Sequence, residues 1–156
     1  MKKTQIKFSK TFSAHEADYY FKLLIRRAVN ATLRYEGIDN DVFVSVTLCN
    51  NEYIHKLNKT FRGVDRPTDV LSFPMFEKDE IQGFHKNEMI ELGDIVISLE
   101  RAFEQSREIG NTFLEEVVFL TVHSMLHLLG YDHERSAFDD EDQCRRQKEI
   151  VKEIEI

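Results

Sequence analysis

Between Asp41 and Asn50 the chain alternates. Val42, Val44, Val46 and Leu48 fall on one side, with Phe43, Ser45 and Thr47 between them. A period of two over eight residues is the pattern of a strand with one face on a core. The same reading makes strands of "TQIKFS" near the N-terminus, of "DVLSFPM" closed by Pro74, and of "LGDIVIS" before Ser98. Elsewhere the apolar period is helical. Ser13 with Glu16 forms a capping box for a helix that runs to about Glu36, before Gly37. Asn50 caps a short helix through "NEYIHKLNKTF", which Gly63 ends, and Ser98 caps "LERAFEQSREIG", which stops at Gly110. Thr112 and Glu115 form a second capping box. The helix after it, Phe113 to about Leu129, is strongly apolar and therefore expected at the centre of the fold, with Gly130 at its C′ position. A last helix begins near Ser136, with Asp139 and Asp140 in its first turn and its basic residues later, matching the helix dipole. Lys78 to Glu91 is polar and reads as an irregular loop.

The predicted order is β-α-β-α-β-β-α-α-α. It implies an α+β fold, a small mixed sheet with helices packed on it. A chain of 156 residues buries a full core as one unit, so residues 1–156 are expected to be a single domain.

Charge and composition narrow the functions. The net charge of −7 counts against a general coat for DNA, which would be basic. It leaves room for a local basic groove, because only the field at the site matters there. Cys49 and Cys144 stand far apart in no CxxC pair, which excludes a disulfide scaffold and fits a reducing compartment. The basic start "MKKTQIKFSKTF" lacks the apolar core of a secretion signal. The most apolar stretch, "VVFLTVHSMLHLL", is too short and too rich in histidine to span a bilayer. A cytoplasmic protein with no membrane association is expected.

The candidate chemistry lies in "HSMLHLLGYDH". His123 and His127 are one helical turn apart, so both imidazoles leave the same face. Gly130 lets the chain turn, and the turn brings His133 back toward them. Three neutral nitrogen donors with one position open are the ligand set of a catalytic zinc, one ion per chain. The spacing is that of metzincins, with Ser124 where those peptidases keep a glutamate base. A serine cannot take a proton near neutral pH, whereas zinc alone makes hydroxide available there. Such a site suits a phosphodiester better than a peptide, whose leaving amine must be protonated. His15, His55 and His85 have no partners at ligand spacing and are expected at the surface.

The second unusual segment is "NKTFRGVDRPTDVLSFP". It concentrates Lys59, Arg62 and Arg66 beside glycine and proline. One reading is a phosphate-gripping loop, since the guanidinium fork binds phosphate bidentately. The other is a structural loop whose arginines pair with Asp65 and Asp69.

"HSMLHLLGYDH", "FRGVDRPTDVLSFP" and "LGDIVIS", taken together, resemble the YbeY family of bacterial endoribonucleases. The three blocks occur in order, between Asn58 and Pro74 and between Leu92 and His133. The first fifty residues and the C-terminal helix match only in length and pattern, and Ser124 stands where the family usually has glycine. The resemblance implies zinc held by His123, His127 and His133, and Arg62 as the functional arginine. It implies Lys59 and Arg66 as RNA contacts. It also implies cleavage of single-stranded RNA, trimming of the 3′ end of 16S ribosomal RNA, quality control of the small ribosomal subunit, and that subunit or its proteins as partners. Two other classes compete: a metallopeptidase, on the metzincin spacing, and a noncatalytic ribosome-assembly factor with a structural zinc.

Overall fold

The computed structural model describes residues 4–10, 18–132 and 137–156. The expected capping pair Ser13–Glu16, and also His15, His133, Glu134 and Ser136, lie outside them. The elements are β1 (Thr4–Lys10), α1 (Asp18–Tyr35), β2 (Val42–Cys49), α2 (Asn51–Arg62), β3 (Val70–Pro74), α3 (Lys78–Gln82), β4 (Ile90–Ser98), α4 (Leu99–Ile109), α5 (Phe113–Leu128) and α6 (Ala137–Lys152). They form one α+β unit with a four-stranded sheet in the order β1-β2-β4-β3. β1 and β4 run parallel to β2, while β3 pairs antiparallel with β4 at the edge.

The alternation read from β2 is real, with Val42, Val44, Val46 and Leu48 all fully buried. β4 is less simple. Ile90 and Leu92 face the main core, and so do Ile95 and Ile97, although strict alternation would put the second pair on the opposite side. The register explains this. Phe43 pairs with Glu91 but Val44 pairs with Gly93, so Leu92 is an extra residue and the phase slips by one. Gly93 sits at φ 133°, and a Cβ there would lie 2.2 Å from the Phe73 carbonyl oxygen. Only glycine lets β3 approach β4 at that point.

Helices α1, α4 and α5 all contribute to the core on the main face of the sheet, and α5 is the central one. Its residues Val117, Leu120, Met125 and Leu128 pack in the sheet-side core. Val118, Val122 and Leu126 pack with Leu24 and Ala28 of α1 and Ile150 of α6. A helix apolar around its circumference is stable only when sandwiched in this way. α2 closes a smaller core on the other face, where Ile54 meets Cys49, Leu71 and Val96. Burial pushes the Cys49 thiol up to about 12 and keeps it inert.

The caps at Asn50, Ser98 and Thr112 form as expected, each side chain accepting from a backbone N–H three residues on. The reading of 78–91 as an irregular loop is corrected. α3 forms there, anchored by the buried Ile81 and by Glu80 Oε1 accepting from the Glu77 N–H at 3.0 Å. β4 starts two residues early because Ile90 N–H donates to Asp41 O at 2.9 Å. The expected element order therefore lacks one short helix. No helix among the described residues is long and apolar enough to cross a membrane.

Candidate active-site cleft

Helix α5 carries His123 and His127 one turn apart, their rings 4.8 Å between centroids and inclined by 70°. Both line a cleft of about 360 Å³. His123 is held from behind, with its Nδ1 2.6 Å from Oε1 of Gln147 on α6. An amide oxygen only accepts, so with that oxygen facing the ring the contact is a hydrogen bond donated by Nδ1. Among the described residues no three His, Cys, Asp or Glu side chains gather closely enough to hold a metal. The third ligand expected from spacing, His133, lies outside the described residues.

Arg62 lines the same cleft. It ends α2, and its Nη1 donates to Asn58 Oδ1 at 3.2 Å. Asn58 is buried, and its Nδ2 donates to the Arg66 carbonyl at 2.9 Å. One asparagine thus ties the arginine to the loop that follows. The two acids proposed as structural partners are otherwise engaged. Asp65 meets His55 Nε2 at 2.7 Å, and that bond, with the nearby charge of Lys59, holds its carboxyl below the usual range. Asp69 accepts from Thr68 Oγ1 at 3.2 Å, Val70 N at 2.8 Å and Gln105 Nε2 at 2.9 Å. Among the described residues neither Arg62 nor Arg66 pairs with either acid. Lys59, in the last turn of α2, and Arg66, on the loop that follows, are exposed and outside the cleft lining. His55 and His85 lie at or near the surface.

The edge strand β3 supplies another wall through Val70, Leu71 and Ser72. Ser124, fully buried beside His123, pairs its hydroxyl with that of Ser72. The residue that replaces the peptidase glutamate is therefore a strut between α5 and the sheet edge. Below the wall, Gln105 bridges Asp69 to the buried Glu116. Burial raises the Glu116 carboxyl above its ordinary value and the charge on Asp69 adds to this, against hydrogen bonds from Gln105 and Asn111. A second lobe of about 500 Å³ continues the groove. It shares His127 and Asp132 with the first and is walled by Pro74, Phe76, Lys78 and Tyr131.

Sequence reasoning missed Asn58 and Gln147. The signal for Gln147 was present: Gln143, Gln147 and Ile150 form one stripe of an otherwise charged helix, and all three are buried. Asn58 sits four residues before Arg62, on the same helical face.

A small α+β domain whose central helix presents two imidazoles to a groove edged by an arginine has the build of a hydrolytic enzyme. The chain belongs to the endoribonuclease YbeY family, whose model matches residues 6–155. It is 51% identical to the Endoribonuclease YbeY of Caldanaerobacter subterraneus subsp. tengcongensis, over 81% of each chain. It is 49% identical to that of Clostridioides difficile, over 80% of this chain and 78% of the relative. Among solved structures it is similar to the solution structure of TM1509 from Thermotoga maritima, with a TM-score of 0.63 and 31% identity, over 96% of this chain and 87% of that one.

Proposed function

We propose that this chain is a zinc-dependent endoribonuclease that hydrolyses single-stranded RNA, and that its substrate is the precursor of the 16S ribosomal RNA 3′ end. The observation that carries the reading is that Arg62, His123 and His127 share one cleft. The donor set fits zinc. His123 has its Nδ1–H committed to Gln147, the arrangement found behind metal-bound histidines, and His127 lies one turn away. His123 and His127 would hold the ion with His133. Bound there, zinc supplies Lewis acidity toward phosphoryl oxygens and a nucleophilic water at neutral pH.

The remaining work falls to the chain's own side chains. Arg62, oriented by Asn58, grips the scissile phosphate and neutralises charge that builds on its oxygens. Asp132, at the junction of the two lobes, takes the proton of the attacking water. Asp69 also lines the cleft, its carboxylate held by donors on Thr68, Val70 and Gln105. Each lobe falls within the range of small-molecule sites, about 300–1,000 Å³, which suits a nucleotide and not a duplex. Lys59 and Arg66 meet the RNA further along its backbone. With a net charge of −7 the chain gains little long-range attraction for RNA, which supports delivery by the small ribosomal subunit or its proteins and a role in that subunit's quality control. The peptidase reading is weaker, because the base position is a buried serine bonded to Ser72.

The test is cleavage of a single-stranded RNA oligomer beside a peptide, with and without zinc, by wild type and His127→Ala. Zinc-dependent RNA cleavage lost in the variant is the expected result. RNA cleavage that ignores chelation and His127, or cleavage of the peptide alone, overturns the proposal.

A further inference from the structure

We propose that Gln147 is a positioning residue for the metal site: its amide oxygen fixes the tautomer and the ring plane of His123, and so sets how tightly the cleft holds zinc. This rests on the zinc reading above.

Helix α6 is charged over most of its surface, yet it turns Gln143, Gln147 and Ile150 inward. Ile150 joins the apolar cluster with α1 and α5. The two glutamines need a polar reason to be there, since an amide taken from water without partners is costly. Gln147 has one in the short contact to His123 Nδ1, 2.6 Å across 24 residues of chain. Gln143 Nε2 approaches the same oxygen at 3.4 Å. That second donor favours the Gln147 oxygen, over its NH₂ group, on the side facing the imidazole, while the Gln143 oxygen itself is buried without a partner among the described residues. An NH₂ turned that way would pair with the Nδ1 lone pair, put the proton on Nε2 and leave no donor for a metal. The Gln143–Gln147–His123 chain therefore selects the one neutral tautomer able to ligate from the cleft side. It also makes zinc affinity depend on the docking of α6.

The experiment compares Gln147→Met, which keeps length and loses the acceptor, with Gln147→Glu, which keeps an acceptor. Zinc affinity is read by competition with a chromophoric chelator, and the His123 tautomer by nitrogen chemical shifts in the zinc-free protein. Gln147→Met is expected to weaken zinc on the order of 10- to 100-fold, while Gln147→Glu binds at least as well as wild type. The wild-type His123 is expected to carry its proton on Nδ1. Zinc affinity within twofold of wild type in Gln147→Met, or equal weakening in both variants, overturns the proposal. So does a wild-type His123 protonated on Nε2, a measurement that needs no variant to fold. If wild type binds no zinc at all, the zinc reading falls, and the tautomer still decides whether Gln147 positions the ring.

Discussion

Replacing Arg62 separates a phosphate clamp from a structural contact. Among the described residues the guanidinium makes one bond, at 3.2 Å to Asn58 Oδ1, and the residue is otherwise exposed. A single hydrogen bond at a solvated surface contributes about 1 kcal/mol or less. Arg62→Ala should thus lower the melting temperature by no more than about 4 °C, and Arg62→Lys by less. The catalytic effect should be larger. Losing one charge-assisted contact to a phosphoryl transition state costs about 2–4 kcal/mol, by analogy with removing one oxyanion donor. That corresponds to roughly 30- to 900-fold in rate. Lysine should not restore the activity, because it offers a point charge without the planar fork. Bound zinc should be unchanged in both variants. Thermal unfolding, metal content and oligomer cleavage on the same preparations decide the matter. Near-normal cleavage in both variants would falsify the clamp, and so would a loss of activity explained by an equal loss of folded protein.

Three further outcomes follow from the geometry. Ser124→Gly removes the Ser72 hydroxyl contact, worth about 1 kcal/mol, and adds a helix-interior glycine at about 0.5 kcal/mol relative to serine; denaturant unfolding should show a loss near 1.5 kcal/mol with cleavage within about tenfold of wild type, and a hundredfold loss, about 2.7 kcal/mol, with zinc retained means that the serine has a catalytic part. Gly130 sits at φ 100°, with a built Cβ 2.5–2.8 Å from Lys78 Cβ, Cα and N, so Gly130→Ala should lose at least about 2 kcal/mol in the same assay, and a loss under half of that contradicts the close approach of α3. Glu116 is raised above its ordinary 4.5 by burial: the folded state then binds more protons than the unfolded one, so this group's stabilisation is full below pH 4.5 and is lost as pH rises through the folded value. Stability of Glu116→Gln relative to wild type should grow across that rise, and a difference that stays flat from pH 4 to pH 7 refutes the assignment.

The parts of the fold legible in the sequence are those set by local chemistry. Asn50, Ser98 and Thr112 cap helices because each meets an N–H three residues away, and that geometry needs no tertiary structure. The alternation of β2 is likewise local. α3 escaped notice because five residues with one buried apolar anchor, Ile81, produce no periodic signal. The bulge at Leu92 escaped for a different reason. "IELGDIVIS" reads as a strand in either phase, and only pairing with β2 on one side and the Phe73 carbonyl on the other shows that Gly93 shifts it.

The site divides along the same line. Spacing placed His123 and His127 on one helical face, and the cleft contains both, together with Arg62 from 61 residues earlier in the chain. What spacing could not supply is the state of each side chain. Whether an imidazole offers its Nε2 to the groove depends on what Nδ1 meets, and that partner, Gln147, comes from a helix that reads as a solvated charged surface. Whether an arginine reaches into a cleft or folds onto an acid depends on which acids are already taken. His55 and Gln105 occupy Asp65 and Asp69, and neither is near those acids in spacing terms a motif would record. The even choice between clamp and structural loop at Arg62 was open in the sequence because both arrangements satisfy the local pattern. In the structure buried Asn58 binds the guanidinium and the following carbonyl together, and Arg62 lines the cleft. Asn58 and Gln147, polar residues to which the spacing assigns no chemistry, contact Arg62 and His123, the side chains it singles out.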